Sequence, residues 1–466
     1  MMDTGQGKIE KKKKSQRYYT AREQFAFFSC AFLILWGPLY AYYLHFDGKG
    51  IAAITMLISA CMVNYRFIKR FSFNRTYVIY CILALYMMIN GLLKGGQNAY
   101  EKDGIYQLCR AALAAPLMMM ILTPLLVKYF DKTIKYLVYT LWIYSVMYAL
   151  NSSFEDISDV DRLTGDINAN EAVLYIVACI ICQIVQYVRH HMSFIRLVVQ
   201  TIPLLVIIIC TGSRMGITMS FIVIIFTMFT SIDLRKSKNK FTLILLLLIV
   251  GVMSYYVLNN TVVGTRLQGE SDDLVDRETT GTALDVIGDR GLAYYNSWSY
   301  FLENPVTGIG FENWFVENPL EIRAHSEYMV MYVENGIIAF VLYICFLVLI
   351  FKRLHHYIHK HRSDVRNKRT AYVLLFSMIS IVYADIVLWT HNEYPVFVIY
   401  AMCVALSQYN LGVKERIVSK QLRCNSLNQK SEYSVYAIKK FNESIFNQKK
   451  KKVGSPECYN YRKCTT

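Results

Sequence analysis

The sequence predicts an all-α polytopic membrane protein, and three observations support that fold class. Of the 466 residues, 55% are hydrophobic and 18% are charged, whereas soluble domains average about 45–50% and about 25%. The apolar residues fall in runs of about 20, the length that a helix needs to cross the hydrocarbon layer. The net charge of +16 gathers in alternate loops. These observations exclude a soluble enzyme, a secreted disulfide scaffold and a disordered chain.

About 12 apolar segments follow one another along the chain, each near the length of a membrane span. Because polar backbone groups in lipid must pair within their own segment, each is predicted to be a helix. The segments are residues 25–44, 50–64, 76–93, 108–127, 133–150, 171–188, 194–211, 215–232, 241–259, 326–351, 371–390 and 394–411. They predict one transmembrane domain over 25–411, between a basic cytoplasmic N-terminus (1–24) and a basic cytoplasmic tail (412–466).

The distribution of Lys and Arg predicts which side each loop faces, since cytoplasmic loops carry the excess of these residues. The basic loops lie near residues 66–75, 128–135, 189–196, 235–240 and 352–369. The intervening loops are poor in Lys and Arg, and the loop 151–170 is acidic. An even number of spans with both termini in the cytoplasm satisfies this pattern. Topology therefore accounts for the basic charge, and no nucleic-acid partner is expected.

The motifs indicate neither metal nor nucleotide chemistry. The sequence has no P-loop, no dinucleotide-binding glycine pattern and no H-E-x-x-H. The 12 cysteines lie mostly in apolar runs or in the basic tail, so no disulfide framework is predicted. Cys179 and Cys182 form a C-x-x-C inside an apolar segment and are interpreted as buried thiols. We therefore expect no cofactor and no metal site.

One long loop, residues 260–325, faces the outer side. Loops of this length are usually functional, since most connections have about 4–6 residues. Apolar residues recur at three- and four-residue steps in its second half, at Leu292, Tyr295, Trp298 and either Phe301 or Leu302, which predicts an amphipathic helix. Pro305 ends the pattern. Such a helix is expected to lie on the membrane surface and to wall a cavity.

Two arginines at the outer face are candidate anion-binding residues. Arg214, in "TGSRMG", lies between two spans joined by almost no loop, and Ser213 adds a hydroxyl. Arg290 opens the amphipathic helix, where the positive end of the helix opposes it. Snorkelling of Arg214 and pairing of Arg290 with Asp289 or Asp285 are the structural alternatives. Two convergent arginines suit a pyrophosphate, because guanidinium groups match phosphate oxygens and stay ionised.

His325 is the candidate general base at the same face. It lies in "RAHSEYMVMYVENG" at the outer mouth of the next span, two residues before Glu327. A histidine that titrates near neutral pH can take a proton from a sugar hydroxyl. His391, in "THNEYP" and close to Asp385, is the rival base. A structural role is the alternative for either histidine.

Taken together, these stretches resemble the O-antigen ligase and O-antigen polymerase superfamily, bacterial polytopic glycosyltransferases of the GT-C class. The stretches that carry the resemblance are "RLTGDINANEA" (162–172), "TGSRMGI" (211–217), "GDRGLAYYNSWSYFLENPVTGIG" (288–310) and "AHSEYMVMYVENGIIAF" (324–340). The hydropathy layout agrees along residues 25–411, with the large outer loop before the last three spans. The family usually has His-Asn where this chain has His325 and Ser326.

The resemblance implies a glycan donor carried on undecaprenyl pyrophosphate at the outer face of the bacterial plasma membrane. It implies that Arg214 and Arg290 hold the pyrophosphate and that His325 deprotonates the acceptor hydroxyl, without a metal or nucleotide. The side chains that we expect to line the substrates are Ser213, Arg162, Asn168, Glu327 and His391.

The leading hypothesis for function is a polymerase that joins lipid-linked repeat units into O-antigen, capsule or exopolysaccharide. The expected partners are the lipid-linked donor, a glycan or lipid acceptor and membrane lipid. A chain-length regulator is a further candidate partner. A ligase that moves the glycan to lipid A core or another acceptor shares the donor and the arginines, so it is the near alternative. A transporter of lipid-linked oligosaccharide is the alternative from another class, and it would place charges at the membrane midplane.

Overall fold

The computed structural model describes residues 19–39, 49–70, 75–94, 113–156, 161–164, 167–231, 294–311, 313–314, 326–361, 364–388, 390 and 393–408. Several predicted features lie outside the described residues. They are the span 241–259, the tail 412–466, most of the loop 260–325 and most of the N-terminal segment 1–24.

The described part of the chain is almost entirely helical. Its helices are α1 (Ala21–Leu39), α2 (Lys49–Arg70), α3 (Arg75–Lys94), α4 (Ala115–Asn151), α5 (Ala169–Val188), α6 (Phe194–Cys210), α7 (Arg214–Ser231), α8 (294–303), α9 (Gly336–Lys360), α10 (Val365–Val387) and α11 (Tyr394–Gln408). Four of them, α3, α5, α9 and α10, are long and apolar enough to cross a membrane. The prediction of an all-α membrane protein is confirmed at this level, while the number of spans, about 12, stays a prediction.

α4 combines two predicted spans, 108–127 and 133–150, in one element that bends at Tyr129. Tyr129 has φ −137° and ψ 47°, outside the helical region. Eight residues of a straight helix rise about 12 Å, yet Thr133 Oγ1 donates to the carbonyl oxygen of Leu125 at 3.3 Å. The chain therefore turns sharply at Tyr129, and the two arms of α4 leave this corner in different directions.

α5 is enclosed by other helices, with 17 of its 20 residues buried. It packs against α4, α6, α7 and α10. The rings of Tyr144 and Tyr175 stack between α4 and α5 with centroids 4.0 Å apart. The buried amide of Gln183 accepts a hydrogen bond from Thr201 Oγ1 of α6 at 3.0 Å. The core of the helical domain is thus built around α5.

Two polar contacts fix the directions of the helices around α5. At its first turn, Ser213 Oγ donates to Asn170 Oδ1 at 2.9 Å, which joins the starts of α5 and α7. Past its last turn, Arg189 Nη1 donates to Asn367 Oδ1 at 3.1 Å, which joins the end of α5 to the start of α10. α10 therefore runs antiparallel to α5, and its last residues lie at the same end as Arg214. A helix of 20 residues is about 30 Å long, which separates the two ends.

The two ends of the bundle differ in charge. The end at Arg189, called here the basic end, also carries His191, Arg366 and Arg369. Arg189 forms an ion pair with Asp131, which lies at the corner of α4. The opposite end, called the distal end, carries Asn170, Arg214 and the last turn of α10. This segregation matches the basic loops of the sequence, and the assignment of the basic end to the cytoplasm stays a prediction.

Two local features depart from the sequence prediction. The loop 151–170 contains an antiparallel ribbon of β1 (Ser153–Asp156) and β2 (Asp161–Thr164), which an all-α fold class omits. Strands of four residues are too short to show a clear alternation of apolar and polar side chains. The predicted span 326–351 begins instead with a helical turn (Glu327–Met329) and a π-helical turn (Val330–Glu334).

Candidate active site

Arg214 is the first residue of α7, and a tight turn brings it to the distal end. Gly212 has φ +64°, a left-handed conformation that glycine adopts readily. Ser213 caps α7, since its Oγ accepts a hydrogen bond from the amide of Gly216 at 3.3 Å. The first amides of a helix carry a partial positive charge, to which the half-buried Arg214 adds a full one. A positive side chain at this end of a helix does not stabilise the helix dipole, whereas a bound anion does. Residues 211–214, called here the arginine turn, are therefore suited to bind an anion.

The start of α5 adjoins the arginine turn. Besides its contact with Ser213, Asn170 donates its backbone amide to Asn168 Oδ1 at 2.9 Å, so that Asn168 caps α5. Asn168 is exposed. β2, which carries Arg162, contacts α6, the helix that leads into the arginine turn. The structure therefore brings Ser213, Arg214 and Asn168 together, while the side chain of Arg162 lies outside the described part.

Close packing also holds the arginine turn in place. A Cβ at Gly216 would lie 2.1 Å from Val173 Cγ1 of α5 and 3.2 Å from Ile208 Cγ2 of α6. The Cβ atoms of folded proteins essentially never come within 3.0 Å of a heavy atom of a residue that is not a chain neighbour. Only glycine therefore allows α7 to approach α5 this closely at its first turn.

Five buried polar residues form a second group at the distal end, called here the acidic network: Ser326, Glu327, Tyr343, Asp385 and Thr390. Tyr343 OH donates to Asp385 Oδ2 at 2.7 Å, and Thr390 Oγ1 donates to Asp385 Oδ1. The amide of Thr390 donates to Glu327 Oε2 at 2.9 Å. Ser326 Oγ donates to the carbonyl oxygen of Asp385 at 3.1 Å. The network joins the turn before α9, α9 itself and the end of α10.

α3 reaches the distal end and holds the turn that follows α8. Lys94 Nζ donates to the carbonyl oxygen of Gly308 at 2.7 Å and also to the hydroxyl of Thr307. Asn90 Nδ2 donates to the carbonyl oxygens of Thr307 at 2.9 Å and Glu334 at 3.2 Å. The "TGIG" turn is thereby fixed against the π-helical turn. Lys94, which was not among the predicted site residues, adds an ammonium group to this end.

The predicted site residues that the structure places at the distal end are Ser213, Arg214, Asn168 and Glu327. Arg290, His325 and His391 lie outside the described residues. Their convergence with the described ones stays a prediction. His325 directly precedes Ser326 of the acidic network, and His391 directly follows Thr390. Each histidine is therefore the sequence neighbour of a residue whose position is fixed by the hydrogen bonds of the network.

Asp385 was predicted only as a neighbour of His391, and Tyr343 and Thr390 were not among the predicted site residues. The signal for Asp385 was present, because an ionisable residue inside an apolar segment marks a functional site by default. No signal pointed to Tyr343 or Thr390, since hydroxyl groups are common in apolar segments. Within the described ranges, no group of three His, Cys, Asp or Glu residues is arranged to hold a metal ion.

Residues 199–344, about a third of the chain, match the family model described as O-antigen ligase. Over these residues the chain is similar to the O-antigen ligase family. The matched segment contains the arginine turn, α8 and three members of the acidic network, Ser326, Glu327 and Tyr343. No curated protein matches the chain.

The similarity to the O-antigen ligase family gives the two polar groups a chemical context. The family comprises glycosyltransferase-like enzymes that act on lipid-linked glycans in surface polysaccharide synthesis. The arginine turn combines a guanidinium group with the oriented amides of a helix start, an arrangement that suits an anion. The acidic network fixes Ser326 and Thr390, the sequence neighbours of His325 and His391.

Proposed function

We propose that the protein polymerises oligosaccharide repeat units carried on undecaprenyl pyrophosphate into surface polysaccharide, at the outer face of the bacterial plasma membrane. The observation that carries the proposal is the arginine turn, in which Ser213 caps α7 and Arg214 occupies its first position. In this proposal the basic end faces the cytoplasm, so the distal end faces outward. The donor and the acceptor then meet where the arginine turn and the acidic network both lie.

Arg214 is proposed to bind the pyrophosphate of the donor together with Arg290. Guanidinium groups form paired hydrogen bonds with phosphate oxygens and stay charged at every physiological pH. As the bond between the anomeric carbon and the pyrophosphate breaks, negative charge grows on the leaving group. Positive charge fixed in advance at that place stabilises the transition state more than the ground state.

His325 is proposed as the general base, with His391 as the alternative. The imidazole takes the proton of the acceptor hydroxyl, and the oxygen attacks the anomeric carbon of the donor. A glycosidic C–O bond forms while the anomeric C–O bond to phosphate breaks, and undecaprenyl pyrophosphate leaves with the bonding electron pair. Arg162, Asn168, Ser213 and Glu327 are proposed to line the sugars.

The acidic network supports a role for these histidines through its geometry. Glu327 and Thr390 are hydrogen-bonded to each other, and each lies within two residues of a candidate base. A base must keep within hydrogen-bond reach of its proton, so the segments on either side of it have to be held firmly. Fully buried hydrogen bonds hold these segments in place, because breaking one leaves a polar group unsatisfied in a medium of low polarity.

A ligase is the second candidate, since the matched family model is described as O-antigen ligase. It would use the same donor and the same arginine turn, and it would transfer the finished glycan to lipid A core or another acceptor. The two functions differ in the acceptor alone.

The experiment that tests the proposal is a gel profile of surface polysaccharide from cells that carry Arg214→Ala, Arg290→Ala or His325→Ala at equal protein level. Collapse of the ladder to a single repeat unit on its usual acceptor is the result expected for a polymerase. Long polymer that stays on the lipid carrier would identify a ligase instead. The matched control is Arg196→Ala, an exposed arginine in the first turn of α6 beside the basic end, which should leave the ladder unchanged. An unchanged ladder in all three site variants would overturn the proposed site.

A further inference from the structure

α8 lies across the distal ends of two helices that are long and apolar enough to span a membrane. At its start, Tyr294 OH donates to the carbonyl oxygen of Ile386 in the last turn of α10. Just past its end, the carbonyl oxygen of Pro305 accepts a hydrogen bond from the amide of Ile337 in the first turn of α9, at 2.9 Å. α8 therefore bridges the distal ends of α9 and α10.

One side of α8 packs on the protein. Ser297 is fully buried and shares a hydrogen bond with the hydroxyl of Tyr332. The ring of Tyr300 meets Trp314 edge-on at 5.5 Å, and the ring of Phe301 meets Tyr332 edge-on at 5.6 Å. These contacts fix the rotation of the helix, so the opposite side has a defined composition.

The opposite side carries a stripe of large apolar residues. Tyr295, Trp298 and Leu302 of α8, with Val306 in the turn that follows the helix, come at steps of three or four residues and are 66%, 57%, 60% and 55% exposed. Ser299 and Glu303 lie exposed along one flank of the stripe. The outward side of α8 is therefore itself divided into an apolar stripe and a polar flank.

The stripe continues into the apolar surface of the spans. Beyond Val306, the first turn of α9 presents Ile337 and Ile338, each 40% exposed. At the other end of α8, Ile386 of α10 is 48% exposed. Contact of this apolar band with water is unfavourable, whereas contact with lipid acyl chains is favourable. Tyr and Trp are the residues that gather where a bilayer meets water.

We propose that α8 is an interfacial helix whose stripe, Tyr295, Trp298 and Leu302, continued by Val306 in the following turn, is embedded at the boundary between the phospholipid headgroups and the acyl chains at the distal face. The Ser299–Glu303 flank then faces the water side. The helix thereby sets the depth of the distal end relative to the lipid surface, independently of the transfer chemistry proposed above. An amphipathic helix with aromatic residues on its apolar side binds at this depth because its apolar side contacts lipid chains while its polar side stays in contact with headgroups and water.

The test uses the full-length protein in phospholipid vesicles and the emission of Trp298. Subtracting the spectrum of Trp298→Phe from that of the unaltered protein isolates this emission, and phenylalanine preserves the ring beside Phe301. We expect lipids brominated near the headgroup end of their chains to remove most of the Trp298 emission. Iodide in the water should remove far less of it than it removes from free tryptophan.

Two controls sharpen the result. The same subtraction with Trp314→Phe reports a ring that is only 1% exposed, and neither quencher should affect it. In the Trp298→Phe background, Leu302→Trp should respond mainly to brominated lipid and Ser299→Trp mainly to iodide. Efficient quenching of Trp298 by iodide would overturn the proposal in favour of a water-exposed helix. Protection of Trp298 from both quenchers would overturn it in favour of a surface covered by protein.

Discussion

The carboxylate of Glu327 and the backbone amide of Thr390 are joined by a hydrogen bond of 2.9 Å, between residues 63 positions apart. Both residues are completely buried. Asp385 extends the link, since it accepts hydrogen bonds from Thr390 and from Tyr343 of α9. The segment before α9 and the segment after α10 therefore form one structural unit, and a change in either segment is expected to displace the other.

Tyr343→Phe tests how much the hydrogen bond between Tyr343 and Asp385 contributes to the stability of the protein. The substitution keeps the ring but removes the hydroxyl that donates to Asp385 Oδ2 at 2.7 Å. Leaving a buried carboxyl oxygen without this donor costs about 1–3 kcal/mol. We expect a lower midpoint of thermal unfolding in detergent. Tyr139→Phe, at a ring that is 42% exposed, is the matched control and should change the midpoint little. Equal midpoints for Tyr343→Phe and the unaltered protein would refute the prediction.

Gly216→Ala tests the close approach of α7 to α5. The new Cβ would lie 2.1 Å from Val173 Cγ1, so either the Val173 side chain or one of the two helices has to move. Overpacking of this kind costs about 1–3 kcal/mol. We expect reduced thermal stability together with reduced polymer length, because the arginine turn moves with the start of α7. The double variant with Val173→Ala removes the clashing methyl group and should recover part of both losses. A double variant no better than the single one would contradict this explanation.

Ser213→Ala tests the cap of the arginine turn. It removes the acceptor for the Gly216 amide and the donor to Asn170 Oδ1. Loss of such a cap costs about 1 kcal/mol. With Arg214 still present, we expect shorter polysaccharide chains rather than complete loss, measured on the same gel. Ser213→Thr keeps the hydroxyl and is expected to stay near the unaltered profile. A full-length ladder from Ser213→Ala would show that the cap does not position Arg214.

Asp131 at the basic end gives the protein a pH dependence of stability. Burial alone would raise the pKa of Asp131, but the hydrogen bonds and charge of Arg189, aided by His191, hold it below its ordinary value. A carboxyl group with a lowered pKa in the folded state stabilises the fold above its unfolded pKa of about 4. That contribution is lost as the pH falls through the folded pKa.

The check is a comparison of unfolding midpoints for the unaltered protein and Asp131→Asn between pH 7 and pH 3. The unaltered protein should be the more stable at pH 5–7, and the difference should shrink below about pH 4. A difference that stays constant over the whole range would mean that the charge of Asp131 is not what stabilises this end.

The helices were predictable because each depends on a local property, the length of an apolar run. The bounds of α3 and α6 agree with the predicted segments within about two residues, which is the usual scatter of helix ends. The corner at Tyr129 was anticipated as a basic loop between two spans, although the helical structure continues almost through it. β1 and β2 were missed, since their pairing depends on two short segments meeting in space.

The candidate site was predictable only in part, for a related reason. Arg214 stood out because a charged residue between two spans needs a reason to be there. Its neighbour Asn170 and the partners of Glu327 could not be named, since a hydrogen bond between distant segments depends on how the helices pack. Thr390 and Tyr343 look ordinary in the sequence, and their contacts with Asp385 become visible only once α9 and α10 lie side by side.

The enclosure of α5 has a consequence for how the protein is made. One of the helices that cover it, α10, is synthesised more than 170 residues later in the chain. Until then, the part of the α5 surface that α10 covers has to face lipid or a chaperone. A nascent chain halted before residue 365 should therefore be recognised by quality-control proteases, even though its earlier helices have already entered the bilayer.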